Sequence, residues 1–456
     1  MAGVSLPFRT ALILVVTGTL SLPLAAQEAE PLRIFAQFKS AIEANDLVGA
    51  GRRAEELVDT VERRHGKDSR ELVNPLTNLG TVQFRRGEFD LAERSYQRAI
   101  GLIEGELSGA DRQLIRPLQG LGETWLASGR PAEAAAALKR AVDLSRNLDG
   151  LYNIEQLDSV DALIEAYVTL GRDADAEREH QFAFRIAESN FGKRDLRLLE
   201  PLEKLAHWHE SMGRYSTSRG LHARALQLAE ELSSDKPIVG VSALRGLSRT
   251  WILEAIYGPE VTEAQGLDTV EPGDSFFNNP GQGRLNAEGL RALNFAVDII
   301  KKSSPLDAKL LGETIAQIGD WHLLSGNFSK ATNSYSESYK VLDSAGPEAR
   351  RLLETPRRLV YRPPAISALR MRPQNRDDYA LHTVEMQLKI GRDGKVQDAV
   401  IVNSAAPENS NRAALLAARK ARFSPRIEGG QAVETEGLRM TEQLMIKVQR
   451  EPASTN

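Results

Sequence analysis

Residues 79–99 read LGTVQFRRGEFDLAERSYQRA. Leu79 and Val82 before Gly87, and Ala92, Tyr96 and Ala99 after it, fall three and four residues apart, the spacing of two amphipathic helices joined at a glycine. Glycine there supplies the left-handed residue that ends the first helix. The same pattern returns around Gly129, Gly171 and Gly213, each 42 residues from the last. Eight residues before these glycines stand Leu79, Leu121, Leu163 and Leu205, and twelve after them Ala99, Ala141, Ala183 and Ala225. Five after them, Ala92, Ala134, Ala176 and Ser218 are all small, so two antiparallel helices can approach closely. Pro75, Pro117 and Pro201 share a column near the start of the first helix, where a missing N–H costs little. A fixed period of this kind is the mark of a helical repeat array.

The register reaches further than the four glycines. One step upstream lies Asn45, which tolerates a left-handed turn, with Ala50 in the small column; one step downstream lies Ala255, with Leu247 in the leucine column. Gly326, followed by Ala331, rejoins the pattern after about 29 extra residues, which residues 258–286 supply as a loop rich in proline, glycine and asparagine. His209 shares a column with Trp125, Tyr167, Trp251 and His322, and His180 and His222 share one with Tyr96 and Tyr335. These histidines are therefore expected as packing residues. His207 and His209, two apart on a helix, point in different directions and make a poor metal pair.

The columns of Leu79, Gly80, Gln83, Ala92, Tyr96 and Ala99 resemble the tetratricopeptide signature, over six or seven hairpins between residues 32 and 346. The resemblance implies an all-α solenoid whose concave wall binds peptides or other proteins. Family positions lining that wall map onto Asp158, Asp161 and Glu165, and onto Glu200, Glu203, His207 and Glu210, with Arg116 and Arg245 on either side. An acidic groove for a basic partner segment is the expectation.

After residue 347 the period changes. Val384, Met386, Leu388 and Ile390 alternate on one face, and Arg392, Asp393 and Gly394 form a tight turn into a second strand over residues 396–402. A short helix over residues 413–421, the Phe423-Ser424-Pro425 stop and a last strand through Leu438, Met440, Leu444 and Ile446 complete a small sheet with a helix on one face.

Tyr361-Arg362-Pro363-Pro364, the 384–390 strand, Asp393-Gly394-Lys395-Val396, Ala413-Ala414-Leu415, Phe423-Ser424-Pro425, Gly430 and the final strand together resemble the C-terminal domain of TonB-type energy transducers. The resemblance implies an α+β domain whose last strand offers its edge to an extended segment of an outer-membrane receptor, the affinity coming from main-chain pairing. Tyr361 and Pro363 are carried over as residues near the contact surface. Gly437, Leu438, Arg439, Met440 and Thr441, within an edge running to Met445, are carried over as the docking strand.

Composition bounds the chemistry. With 41% hydrophobic and 26% charged residues the chain is globular, and with no cysteine it has neither disulfides nor thiolate chemistry. No phosphate-cradling glycine loop, nucleophile elbow or HExxH helix is present, so neither an enzyme, a cofactor nor a metal is expected. Residues 347–456 hold 19 Lys and Arg against 13 Asp and Glu, a net of +6; with Arg9 alone charged in residues 1–26, residues 27–346 carry −11 of the total −4. The charged end, short apolar run and Ala25-Ala26 of residues 1–26 read as a cleaved secretory signal. The organisation expected is thus a signal at 1–26, a repeat array at 27–346 with its insertion at 258–286, and a TonB-like domain at 347–456. Function is expected to be that of a periplasmic scaffold with protein partners, one held by the repeats and another, an outer-membrane receptor or other envelope protein, by strand addition. Neither nucleic acid nor a small-molecule substrate is expected. The alternative is an energy-transducing transport component held in the inner membrane by an uncleaved N-terminus.

Overall fold

A computed structural model describes residues 22–104, 111–258, 285–368 and 378–448. The chain divides into two compact units, Met1–Ala176 and Glu177–Asn456. Residues 1–21 of the expected signal and residues 259–284 of the expected insertion lie outside the described residues.

The first unit contains α1 (Leu22–Glu43), α2 (Leu47–His65), α3 (Val73–Arg85), α4 (Phe89–Glu104), α5 (Ile115–Ala127), α6 (Pro131–Asp149), α7 (Leu157–Thr169) and the start of α8 (Asp173–Phe191). The hairpin turns follow the glycine register: φ is +77° at Gly87, +75° at Gly129 and +70° at Gly171, and the one described non-glycine residue with positive φ is Asn45 at 55°. Each turn closes with a main-chain bond spanning five residues, such as Arg130 N to Trp125 O at 2.7 Å and Arg172 N to Tyr167 O at 2.8 Å, which satisfies carbonyls the helix end would leave bare. Aromatic rings fill the space that glycines leave on the first helices of the hairpins. A Cβ added at Gly80 would lie 2.9 Å from the Tyr96 ring, and one added at Gly120 only 2.3 Å from it, so Tyr96 packs where glycine bares the backbone of two helices.

The second unit continues with α9 (Leu199–Ser211), α10 (Tyr215–Leu232), α11 (Val241–Tyr257), α12 (Ala287–Lys302), α13 (Ala308–Leu324), α14 (Phe328–Ser344) and α15 (Pro347–Glu354). Gly213 and Gly326 both sit at φ +75°. The register fails at Ala255. There α11 runs on to Gly258 (φ 94°), because a residue with a Cβ resists the left-handed turn and the buried Ile256 holds the helix in place. His222 fills the place of Tyr96: a Cβ on Gly246 would meet its ring at 2.3 Å. Tyr335 does the same at Gly319, at 2.6 Å.

A small β-rich domain follows in the same unit. Strand β2 (Tyr379–Ile390) lies between β3 (Val396–Ser404) and β7 (Thr435–Lys447), both antiparallel to it. Gly394 (φ 73°) turns the β2–β3 hairpin where the sequence places it. Helix α16 (Glu408–Lys420) covers one face through Ala414 and Ala418, closing a core of Val384, Met386, Leu388, Ile390, Ala399, Phe423, Met440 and Leu444. Two short pairs are additions the alternation does not announce: β1 (Arg358–Val360) with β4 (Arg422–Phe423), and β5 (Arg426–Glu428) with β6 (Gln431–Val433). Ser424 fastens the first pair: its hydroxyl accepts from Arg357 N at 3.0 Å, and its own N–H donates to Arg357 O at 2.8 Å. Ile427 of β5 is buried with Tyr335, Ala349 and Leu353, so the β5–β6 hairpin rests on the last repeat.

Candidate functional site

Among the described residues β7 is an edge strand, with β2 on its inner side and residues 366–368 on part of its outer side. Gly437 (φ +78°) stands at a break in the β2–β7 register, between the Leu388–Leu438 and Ile390–Thr435 pairs, so regular pairing starts at Leu438. Leu438 pairs with Leu388, Arg439 with Gln387, Met440 with Met386 and Thr441 with Glu385. Met440 is buried in the core, whereas Gly437, Arg439 and Thr441 are exposed.

Further along, the edge is occupied from within the chain. Met445 N donates to Ile366 O and Ala368 N donates to Gln443 O, both at 2.8 Å, and Ser367 bridges Leu444. The edge expected to run to Met445 is therefore taken at Gln443–Met445 by the chain's own residues 366–368. Peptide groups alternate direction along a strand, so the outward set that includes Gln443 and Met445 continues at Thr441 and Arg439. Among the described residues nothing pairs with those two on the outer side.

Where the occupied part begins, Glu442 is 2% exposed and accepts hydrogen bonds from the hydroxyls of Tyr361 and Ser367. Burial first, and then the bond to the Glu442 carboxylate, raise the Tyr361 hydroxyl above its ordinary pKa. Tyr361, expected near the contact surface, is thus 5% exposed and forms part of the core, and its carbonyl accepts from Tyr257 at 3.1 Å. Pro363 is half-buried beside it. Glu442 is absent from the residues the sequence singles out, although it is the one charged residue in the alternation Leu438, Met440, Glu442, Leu444, a break in phase that marks it.

The expected acidic groove is placed in two parts. In the first unit Asp158 and Glu165 of α7 are exposed and Asp161 is half-buried. Glu123 of α5, which the sequence does not single out, joins them: burial, with the charges of Asp158 and Glu165 adding, pushes its carboxyl up to about 7 against the hydrogen bond from Gln119. In the second unit Glu200 is exposed and pairs with Lys204 at 3.1 Å, and Glu203 accepts from Ser242 at 2.8 Å. Glu210 faces inward. Arg249 Nε donates to Oε2 at 2.8 Å and its Nη2 to Oε1 at 3.2 Å, while His222 Nε2 lies 3.1 Å from Oε1 and Ser218 donates at 3.2 Å. These bonds join α9, α10 and α11, and they offset the burial that opposes the Glu210 charge.

His207, Glu210 and His222 bring donor atoms within 4.8 Å of one another and are the one described trio spaced to hold a metal ion. The Arg249 fork already takes both Glu210 oxygens, so a divalent ion would have to displace a guanidinium. That is the chemistry of an ion-paired hub.

Helical hairpins that bury their aromatics against small residues, followed by a β-rich domain whose described sheet ends in β3 on one side and in the partly covered β7 on the other, define a helical repeat protein carrying a small β-rich domain. Comparison with known proteins agrees with this. Residues 71–147 match the tetratricopeptide repeat model, and residues 382–441 match that of the Gram-negative bacterial TonB protein C-terminal domain. The chain thus carries both modules its sequence resembles. No curated protein matches it. Solved structures similar to it include a signal transduction ATPase with a tetratricopeptide repeat sensor from Pyrococcus horikoshii, at 13% identity and TM-score 0.47 over 71% of this chain and 45% of that one. Another is the C-terminal part of a tetratricopeptide repeat-containing protein from Cytophaga hutchinsonii, at 12% identity and TM-score 0.43 over 70% of this chain and all (100%) of that one. A third is a kinesin light chain repeat protein from Podosopora anserina, at 13% identity and TM-score 0.41 over 52% and 99%.

Proposed function

We propose that the chain is a periplasmic scaffold, exported by residues 1–26, whose repeats hold one protein and whose TonB-type domain docks a second by strand addition along Leu438, Arg439, Met440 and Thr441. The observation that carries this reading is the edge position of β7, with the outward peptide groups of Arg439 and Thr441 unpaired among the described residues. Such a row of donors and acceptors is a template for an added strand. Asp158, Asp161 and Glu165, with Glu123, serve as the acidic surface for a basic partner of the repeats; Glu200 and Glu203 are a second, partly neutralised one. No described helix is long and apolar enough to cross a membrane.

Because the chain lacks cysteine, single cysteines at Arg439, Thr441 and, as a control, Val400 of β3 give an unambiguous crosslink scan in envelope extracts. Adducts at Arg439 and Thr441 are the expected result. Adducts confined to Val400 would place docking on the opposite edge and overturn the assignment. Fractionation tests the location, since a full-length form in the inner membrane would favour the anchored transducer instead.

A further inference from the structure

The docking edge is shared with the chain itself. Residues 366–368 lie antiparallel to β7 and make the same two main-chain bonds that a docked strand would make, Met445 N to Ile366 O and Ala368 N to Gln443 O. Ser367, fully buried, adds a hydroxyl to the Glu442 carboxylate. We infer that residues 366–368 are an internal occupant that an incoming extended segment displaces, and that this segment presents a hydroxyl side chain to Glu442 in the place of Ser367. The inference rests on the strand-addition reading above and specifies its partner.

The exchange is close to balanced in its main-chain part, since two bonds are lost and two of the same kind are regained. The discriminating group is Glu442. It is buried, and its donors are the hydroxyls of Tyr361 and Ser367. A segment with alanine or valine at that position would strip one donor from a buried carboxylate, so a serine- or threonine-bearing segment is selected. Arg439 and Thr441, next along the same outward row and unpaired there among the described residues, offer the place where such a segment first pairs before the occupied stretch opens.

The test uses the full chain and a fluorescent peptide, YRPPAISA, copied from residues 361–368. The double variant A368C/Q443C joins two residues that share a main-chain bond, so oxidation locks the occupant and reduction frees it in the same molecule. Ala368→Pro removes one of the two bonds and is the released form. Peptide binding and hydrogen exchange at Arg439 and Thr441 are both read. The released form is expected to bind at least about tenfold tighter than the native chain and the oxidised lock not at all. A peptide with alanine in place of the serine is expected to bind the released form about tenfold more weakly. Equal binding, with equal protection of Arg439 and Thr441, in locked and released forms would overturn the inference and leave strand addition standing. Equal binding of the serine and alanine peptides would overturn the role given to Glu442. Failure of every form to bind or to gain protection would overturn the strand-addition reading and the inference with it.

Discussion

Arg357 holds Asp320 by both carboxylate oxygens: its Nη2 lies 2.9 Å from Oδ1 and 3.0 Å from Oδ2. Tyr335 also donates to Oδ1, at 2.7 Å. Asp320 belongs to α13 of the last hairpin and Arg357 to the segment leading into β1, so this pair ties the β-rich domain to the repeat beside it. The Asp320 side chain is only 9% exposed, and removing its cation strands a buried charge. Arg357→Leu is expected to cost about 3 kcal/mol in chemical denaturation of the full chain. A double-mutant cycle with Asp320→Asn should return a coupling of about 1 to 3 kcal/mol. A coupling near zero would mean that the two side chains contribute independently.

Two glycines inside the repeat helices carry opposite expectations. A methyl at Gly120 would sit 2.3 Å from the Tyr96 ring, and the overpacking in Gly120→Ala should lower stability by about 1 to 3 kcal/mol. Gly101, inside α4, has nothing within 4 Å of an added Cβ. Gly101→Ala should therefore stabilise, by about 0.5 to 1 kcal/mol, because alanine loses less backbone entropy in a helix. Thermal unfolding of the two variants side by side reads both signs.

The hairpin register was legible because a left-handed turn needs glycine or asparagine, and Asn45, Gly87, Gly129, Gly171, Gly213 and Gly326 all carry positive φ. The β2–β3 hairpin was legible from alternation and Gly394 for the same reason. What escaped the sequence are pairings too short to carry a period, the three-residue strands β5 and β6 and the bridge of Ser367 to Leu444. Polar side chains whose roles depend on distant partners also escaped it. Tyr361 lies 81 positions from Glu442 in the chain, and nothing local in either segment announces that contact. Glu210 matched a wall position by spacing, yet Arg249 and His222 on two other helices draw it inward.

Glu123 gives the first unit a pH dependence of definite sign. Its folded-state carboxyl titrates at about 7, above the ordinary 4.5, so between these values the folded state holds the proton more tightly than the unfolded chain. Its contribution to stability is complete below pH 4.5 and is lost as pH rises toward 7. Glu123→Gln keeps the shape without the charge. It should raise the denaturation midpoint at pH 8 and leave it unchanged at pH 4. An equal gain at both values would show that the carboxyl is not the source.

Thr441→Pro isolates the docking edge from the fold. By the alternation fixed at Gln443 and Met445, the Thr441 N–H points outward, away from β2, so a proline there deletes a donor offered to a partner without removing a bond of the β2–β7 ladder. Proline is tolerated on an edge strand when its missing N–H faces solvent, and the loss of stability should stay within about 1 kcal/mol. Met440→Pro is the contrasting variant. The Met440 peptide group faces β2 by the same alternation, and its side chain is buried with Val384 and Leu388, so the domain should unfold. If strand addition is the docking mode, Thr441→Pro abolishes crosslinking from a cysteine at Arg439 while circular dichroism and the unfolding midpoint hold. Undiminished crosslinking from a folded Thr441→Pro chain would show that the partner is recognised through side chains, and the main-chain edge would lose its role.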